Sequence, residues 1–428
     1  MVFTEDLLHY IWKFRLYDQL NLCTADGSLL RVISPGIQHH HAGPDFQYAK
    51  LQIGETLWAG NVEIHIRASD WMRHSHSQDQ AYNNVILHVV YKNDLEIYNQ
   101  EGRFIPVLVL EDRIPDTLLH RYQNLIYADA VSFPCEKIIN RVDEFVIKNW
   151  LNRMLIQRLE EKSAQVLEKV ALLKGDWEAA FYQVLAANFG FKVNALPFEL
   201  LAKSLPLQIL SKYSFNLLQT EALLFGQAGF LEEHLEDLYF LQLQKEYRFL
   251  KKKYGLIPIE RHLWKFLRLR PLNFPTVRIA QFAALMHRTN RFLTEVLKAD
   301  GAEKINALFT GINPSDYWLD HYQFGKKAKP CSKKLGQTSV ENILTNTVSV
   351  FLFAFENENK TETYSSKALK ILENLPCEIN FIISSFISAG IKIDSAGNSQ
   401  AVIGLKNNYC DRKRCLECGI GNKLLKTN

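Results

Sequence analysis

The chain of 428 residues has little net charge, little sulfur and no apolar run of bilayer length. Lys and Arg number 50 against 46 Asp and Glu, leaving a net charge of +4. That balance excludes nucleic-acid binding by bulk charge, so any basic surface must be local. Seven cysteines are an odd number in a large chain, the wrong profile for a disulfide-stapled secreted domain. The longest apolar runs, such as VSVFLFAF at 348–355, fall well short of the roughly 18–20 residues a membrane helix needs. The opening MVFTEDLLHYIWKFR carries two acids and no apolar core of signal-peptide length. These absences predict a soluble, cytoplasmic protein with no membrane partner, and they leave its oligomeric state open.

What is present is ordinary globular composition, 47% apolar and 22% charged. The length predicts two or three domains. Residues 1–130 alternate short strand-like and helix-like segments and read as an α/β domain. Residues 140–325 read as a helical domain, with apolar residues at spacings of three and four in DEFVIKNWLNRMLIQRLEEKSAQVLEKVALL. GKKAKPCSKKLGQ at 325–337 reads as a linker or exposed loop. Residues 335–428 read as a helical C-terminal region with a cysteine cluster. The fold class expected is α+β.

The first 130 residues carry the clearest chemistry. A helix is expected over 4–18, then strands in SLLRVISPG (28–36), DFQYAKLQIG (45–54) and LWAGNVEIHIRASD. A helix from Trp71 to Asn84 follows, capped by Ser69 or Asp70, and VILHVVY at 85–91 is a buried central strand. In the third strand, alternation sends Val62, Ile64 and Ile66 to one face and Glu63, His65 and Arg67 to the other. Asp45 opens the neighbouring strand, so its carboxylate can lie beside Glu63. Two carboxylates on adjacent strands form an oxygen site suited to Mg²⁺ or Mn²⁺, which can activate water and neutralise charge on a phosphate. His65 lies on the same face, placed to assist the water.

Seven of the thirteen histidines fall between residues 39 and 88: His39, His40, His41, His65, His74, His76 and His88. Imidazole suits Zn, Fe or Mn. Against this, His39–His41 can be a surface loop and His88 a hydrogen-bonded core residue. His74 and His76, two apart on the expected helix, diverge, so at most one of them reaches Glu63.

Pro44-Asp45 and, eighteen residues on, Glu63-Ile64-His65 resemble the signature of the restriction-endonuclease-like superfamily, PD followed by (D/E)-x-K. The order helix, three strands, helix, strand is similar to that core, and Gln78 and Tyr82 match the Q-x-x-x-Y spacing of its RecB-like branch. His65 stands where that signature has Lys. The resemblance covers about ninety residues. It implies a metal-dependent nuclease in which Asp45 and Glu63 hold the ion and Gln78 and Tyr82 position the substrate. The whole chain also resembles a bacterial family known as a domain of unknown function, through AGPDF, GNVEIH, YNNVILHVVY, EALLFGQAGFL, RPLNFPTVRIAQFA and NSQAVIGLKNNYC.

Cys410, Cys415 and Cys418, followed by Gly419-Ile420-Gly421, can wrap one metal ion. The first candidate for a fourth ligand is Cys135, followed by Cys331, Cys377, Cys23 or a histidine. The spacing does not decide between Zn²⁺ and an iron–sulfur cluster. RHLWKFLRLRPLNFPTVRIAQ at 261–281 interleaves Arg268, Arg270 and Arg278 with Trp264, Phe266 and Phe274. Such a stretch can bind nucleic acid through phosphate contacts and base stacking, or can be core aromatics with a solvated cationic face. The function expected is a metal-dependent phosphodiesterase acting on nucleic acid. The alternatives are a non-catalytic protein with a degenerate nuclease-like core, or a His/carboxylate metal hydrolase of another substrate.

Overall fold

A computed structural model describes residues 3–39, 42–127, 132–289, 291–360 and 363–426. The chain is mixed α/β and divides into two compact units. The first comprises Met1–Trp150, Ser388–Ile391 and Leu405–Asn428, and the second Leu151–Ile387 and Lys392–Gly404. The cysteine-bearing tail therefore folds with the N-terminal residues, and the expected third region, 335–428, is shared between the units.

In the first unit, helix α1 (Glu5–Phe14) starts at Thr4, whose hydroxyl accepts from Leu7 N–H. Strands β1 (Leu30–Ser34), β2 (Ile37–Gln38), β3 (Phe46–Ile53) and β4 (Thr56–Arg67) follow. A short helix α2 (Asp70–Arg73) leads to β5 (Val85–Lys92), β6 (Val107–Val109) and helix α3 (Asp116–Ile126). The sheet order is β1-β3-β4-β5-β6, with β2 paired to β3. β1, β3 and β4 are antiparallel neighbours, whereas β5 runs parallel to both β4 and β6.

Both sheet faces are covered, as a parallel pair at the centre of a sheet requires. Val62 and Ile64 of β4 join Leu87 and Val89 of β5 in a core with Leu7, Leu8, Ile11 and Trp12 of α1. Trp71, Tyr82, Val90, Ile97 and Val107 form a smaller cluster. The alternation expected for β4 holds, but its polar side is buried rather than solvated: Glu63 is 4% exposed and His65 2%.

The expected helix over Trp71–Asn84 is replaced by α2 and two 3-10 turns, His76–Gln78 and Gln80–Tyr82. Ser75 between them is left-handed, at φ 62° and ψ 26°, which no α-helix interior tolerates. The chain is also irregular at β3, where the register with β4 shifts between Phe46 and Ala49 and Tyr48 takes φ 60°. Bulges of this kind re-aim neighbouring side chains, and Asp45 is the residue before this one begins.

The second unit is helical. Helices Trp177–Phe189, Phe191–Ser204, Leu217–Gln227, Leu238–Tyr254 and Pro275–Arg288 surround a core that includes Phe181, Phe198, Phe225, Phe240 and Phe282. Its 325–337 segment is no free linker. Lys333 is 2% exposed and Leu335 4%, and the Lys333 carbonyl accepts from Gln281 Nε2 at 2.8 Å. No described helix is long and apolar enough to cross a membrane.

Candidate metal centre

The site forms where β4, β5 and the broken α2 segment meet. The β4–β5 register sets Glu63 opposite His88 and His65 opposite Val90, so three polar side chains crowd one sheet face. His65 Nδ1 and His88 Nε2 lie 2.8 Å apart. On its other side, His65 Nε2 lies 3.1 Å from His74 Nδ1 and 3.7 Å from Glu63 Oε1. His76 Nε2 stands 3.2 Å from the same Glu63 oxygen.

His74 and His76 both reach the site, against the expectation that only one could. The reason is the left-handed Ser75, which turns the chain back so that residues two apart point inward together. One ligand atom each from His65, His74 and His76 lie within 4.8 Å of one another. Glu63 Oε1 stands outside that set but beside two of its members, His65 and His76. His65 and His76 are buried and His74 is exposed, so the cluster opens to water along one side.

Asp45 lies beside the cluster but is turned differently from Glu63. Its backbone N–H donates to Glu63 Oε2 at 3.0 Å. Its own Oδ2 accepts from the Ile64 N–H at 3.0 Å and lies 3.1 Å from His9 Nε2. The two carboxylates are therefore neighbours, as expected, yet Glu63 alone presents an oxygen to the imidazoles. His9 of α1 belongs to the arrangement and escaped the sequence reading, because one histidine on an amphipathic helix carries no spacing signal. His39 contributes its backbone N–H to the Asp45 carbonyl at 2.7 Å. His40 and His41 lie outside the described residues.

Tyr82 stacks on His76, centroids 3.8 Å apart and planes at 24°. Burial, and then the charges of Glu63, Asp45 and Asp79, push its phenol up to about 12, so it stays a neutral wall. Trp71 closes the same wall, 5.3 Å from His76 and 5.4 Å from His88. Gln78 is exposed, and its carbonyl accepts from Gln100 Nε2 at 3.4 Å. Among the described residues its side chain has no hydrogen bond to the cluster. With the helix broken, the Gln78–Tyr82 spacing no longer sets the two side chains on one face.

The electrostatics favour lone pairs over protons. Burial, reinforced by His88, His76, His74 and His9, pushes His65 down to about 2. Burial, then His76, pushes His88 down to about 3. Both imidazoles are neutral at any physiological pH, the form that binds metals. Burial raises Glu63 above the ordinary carboxylate range, partly offset by His76. For His9, burial acts downward, but the hydrogen bond and charge of Asp45 outweigh it and hold the imidazole above its usual value. Three imidazoles and a carboxylate suit Zn²⁺, Mn²⁺ or Fe²⁺ better than Mg²⁺, which prefers oxygen.

Residues 5–381 match the family described as "Protein of unknown function (DUF2851)". The chain belongs to the DUF2851 family. No curated protein and no solved structure matches the chain. The DUF2851 match spans every member of the cluster, from His9 to His88, and ends before Cys410.

The expected phosphate contacts separate on inspection. Arg268 and Arg270 are exposed. Arg278 is 7% exposed, and its guanidinium donates to Gln281 Oε1 and Ser339 Oγ at 3.0 Å and to Asn273 Oδ1 at 2.5 Å. It also lies over the Phe191 ring at 4.4 Å. Arg278 is a structural cation, withdrawn from phosphate by burial. Trp264 is buried, and Phe266 packs on Phe274 and Phe230, so these aromatics are core rather than stacking platforms.

Proposed function

We propose that the chain is a divalent-metal-dependent hydrolase of phosphodiesters, with the metal held by His65, His74, His76 and Glu63. The convergence of the three imidazoles, with Glu63 Oε1 beside His65 and His76, carries the reading. Phosphodiesters, nucleic acid foremost, are favoured as substrate by the PD…E-x-H pattern and by the observed order of elements: helix, antiparallel strands, short helix, parallel strand.

A divalent ion bound there supplies Lewis acidity and lowers the pKa of coordinated water. The chain's own residues do the rest. His74, on the exposed side, leaves a path for substrate. Glu63 is fixed by the Asp45 N–H, and Asp45 keeps a proton on His9 next to the cluster, where it can protonate a leaving oxygen. Trp71 and Tyr82 exclude water from the rear, which strengthens the electrostatics of the site. His65, in place of the signature's Lys, gives up a fixed positive charge and gains a metal ligand.

The test is hydrolysis of bis-p-nitrophenyl phosphate and of single- and double-stranded nucleic acid by protein stripped of metal and reloaded with Zn²⁺, Mn²⁺, Fe²⁺ or Mg²⁺. Turnover with a transition metal that disappears in Glu63→Gln and His76→Ala is the expected result. Tight metal binding without turnover on any phosphodiester would remove the hydrolase reading and leave a binding protein.

A further inference from the structure

Five of the seven cysteines lie in the first unit, and apart from Cys23 they sit on two segments far apart in sequence: Cys135 after the Phe133-Pro134 turn, and Cys410, Cys415 and Cys418 in the tail. These four are free thiols. Cys415 and Cys418 are each 7% exposed, and Cys135 and Cys410 are half-buried. Every one of the six pairs among them is close enough for the two sulfurs to repel as thiolates: Cys410 with Cys135, Cys415 and Cys418, Cys135 with Cys415 and Cys418, and Cys415 with Cys418. Cys415 belongs to the core against which Cys135 packs, and the Cys418 N–H donates to the Cys415 carbonyl at 3.3 Å.

The backbone around them is built tightly. A Cβ on Gly421 would stand 2.2 Å from the Cys415 carbonyl oxygen, and one on Gly419 would stand 2.6 Å from the Trp150 ring. Side chains at either position would push the Cys415–Cys418 turn open. Burial raises the Cys418 thiol, and the N–H groups of Gly421 and Ile420, donating toward its sulfur, act against that. Backbone amides aimed at a sulfur stabilise thiolate rather than thiol. The following helix, Gly419–Lys426, buries Ile420 and Leu425, and Asn422 Nδ2 donates to the carbonyls of Leu416 and Cys418 at 2.7 and 3.0 Å.

We propose that Cys135, Cys410, Cys415 and Cys418 form a four-thiolate metal centre that fastens the C-terminal segment to the N-terminal unit. Burying four sulfurs together as thiols gains little, whereas as thiolates their mutual repulsion would be offset by a metal cation. Of the two metal-competent groups, the histidine trio already has its ligand atoms within 4.8 Å. The four cysteines are not drawn that close among the described residues, so a bound ion would have to gather their sulfurs. Cys331, the alternative fourth ligand, is exposed and engaged instead by Lys333 Nζ and the Tyr322 hydroxyl, at 3.1 and 3.2 Å.

The experiment uses the full chain purified without chelator. One equivalent of zinc, or about two to four of iron with acid-labile sulfide, should survive dialysis against EDTA that empties the histidine site, and a mercurial that titrates four thiols should release it. Colourless protein with zinc assigns a single ion, and absorption near 400 nm with iron assigns a cluster. Cys135→Ala or Cys415→Ala should lose that metal, whereas Glu63→Gln, His76→Ala and Cys23→Ser should keep it. Should the cysteine variants fail to fold, alkylation of the wild type replaces them. Cys331 should then react at once, and the four clustered cysteines only after the metal is withdrawn. Rapid alkylation of all four in native protein, or a metal content indifferent to their loss, would overturn the proposal.

Discussion

His65 links His88 to His74 in a chain of three imidazoles, with nitrogen separations of 2.8 and 3.1 Å. Because all the linking atoms are ring nitrogens, each separation holds one hydrogen. Without metal, protons on His88 Nε2 and His65 Nε2 satisfy both contacts and leave His88 Nδ1 bare. That nitrogen has no hydrogen-bond partner among the described residues. Were His65 and His74 to hold a metal, the second contact would be given up, the His65 proton would sit on Nδ1 and that of His88 on its own Nδ1, so that His88 Nε2 would accept from His65. His88 is thereby a positioning residue for the metal-binding tautomer.

His88→Leu should therefore weaken Zn²⁺ or Mn²⁺ binding by about 10–100-fold, the usual cost of losing an outer-shell partner. His88→Gln, whose amide oxygen can take the place of Nε2, should keep most of the affinity. Calorimetric titration of metal-stripped protein measures both. Equal losses in the two variants would mean that His88 acts through packing alone.

Removing a direct ligand should cost more. His74→Ala and His76→Ala should each lower affinity by more than about a hundredfold, and with it about 2.7 kcal/mol of metal-induced stabilisation at saturating ion. Thermal melts with and without metal read this directly. His74 is exposed, so its variant should melt like the wild type when metal is absent. A metal-induced shift left intact in His74→Ala would take it out of the ligand set.

Ser75 holds the two histidines together through an uncommon backbone conformation. Ser75→Gly, free of the Cβ clash, should match or slightly exceed wild-type stability. Ser75→Val should lose roughly 1–2 kcal/mol and should weaken metal binding. Denaturant melts and titration together check the coupling. A Val variant with unchanged affinity would show that the turn does not position the ligands.

These relationships mark where the sequence stops being legible. The alternation in β4 correctly put Glu63 and His65 on one face, and the apolar run at 85–91 correctly made β5 central, because both are period-two signals that register preserves. The error at His74 and His76 came from extending a helical period through Ser75. Serine gives no local warning of a left-handed turn, and the burial of Trp71, His76 and Tyr82 decides the conformation there. His9 was missed because its partner Asp45 is thirty-six residues away, joined only by the tertiary fold. The aromatic–arginine stretch misled in the opposite sense. Charge predicts exposure on average, but Arg278 sits inside a ring of hydrogen-bond acceptors supplied by Asn273, Gln281 and Ser339.

That difference among the arginines is itself testable. Arg278→Ala should unfold the helical unit more easily, by about 2–4 kcal/mol, because it strands buried acceptors, and should leave any salt dependence of nucleic-acid binding unchanged. Arg268→Ala with Arg270→Ala should behave oppositely, preserving stability and flattening the salt slope by up to about two phosphate contacts. Filter binding across a salt series and denaturant melts separate the outcomes. A flat, salt-independent response in the wild type would remove nucleic acid as a ligand of this stretch.

The helical unit also carries a pH-dependent term with a definite sign. Glu221 is fully buried and receives hydrogen bonds from Tyr239 and Ser315. Burial, which these bonds only partly offset, pushes its carboxyl up from 4.5 to about 7. Between those two values the folded chain keeps a proton that the unfolded chain has released. Stability conferred by protonated Glu221 is therefore greatest below pH 4.5 and falls as pH rises toward 7, by on the order of 3 kcal/mol in all. Glu221→Gln, which cannot ionise and, like the protonated acid, offers Tyr239 and Ser315 one acceptor and one donor, should abolish that slope and be the more stable form at pH 8. Urea melts of both proteins from pH 4.5 to 8 measure the difference. Parallel pH profiles would show that Glu221 is charged in the fold at every pH, which requires a cation beside it that the described residues do not supply.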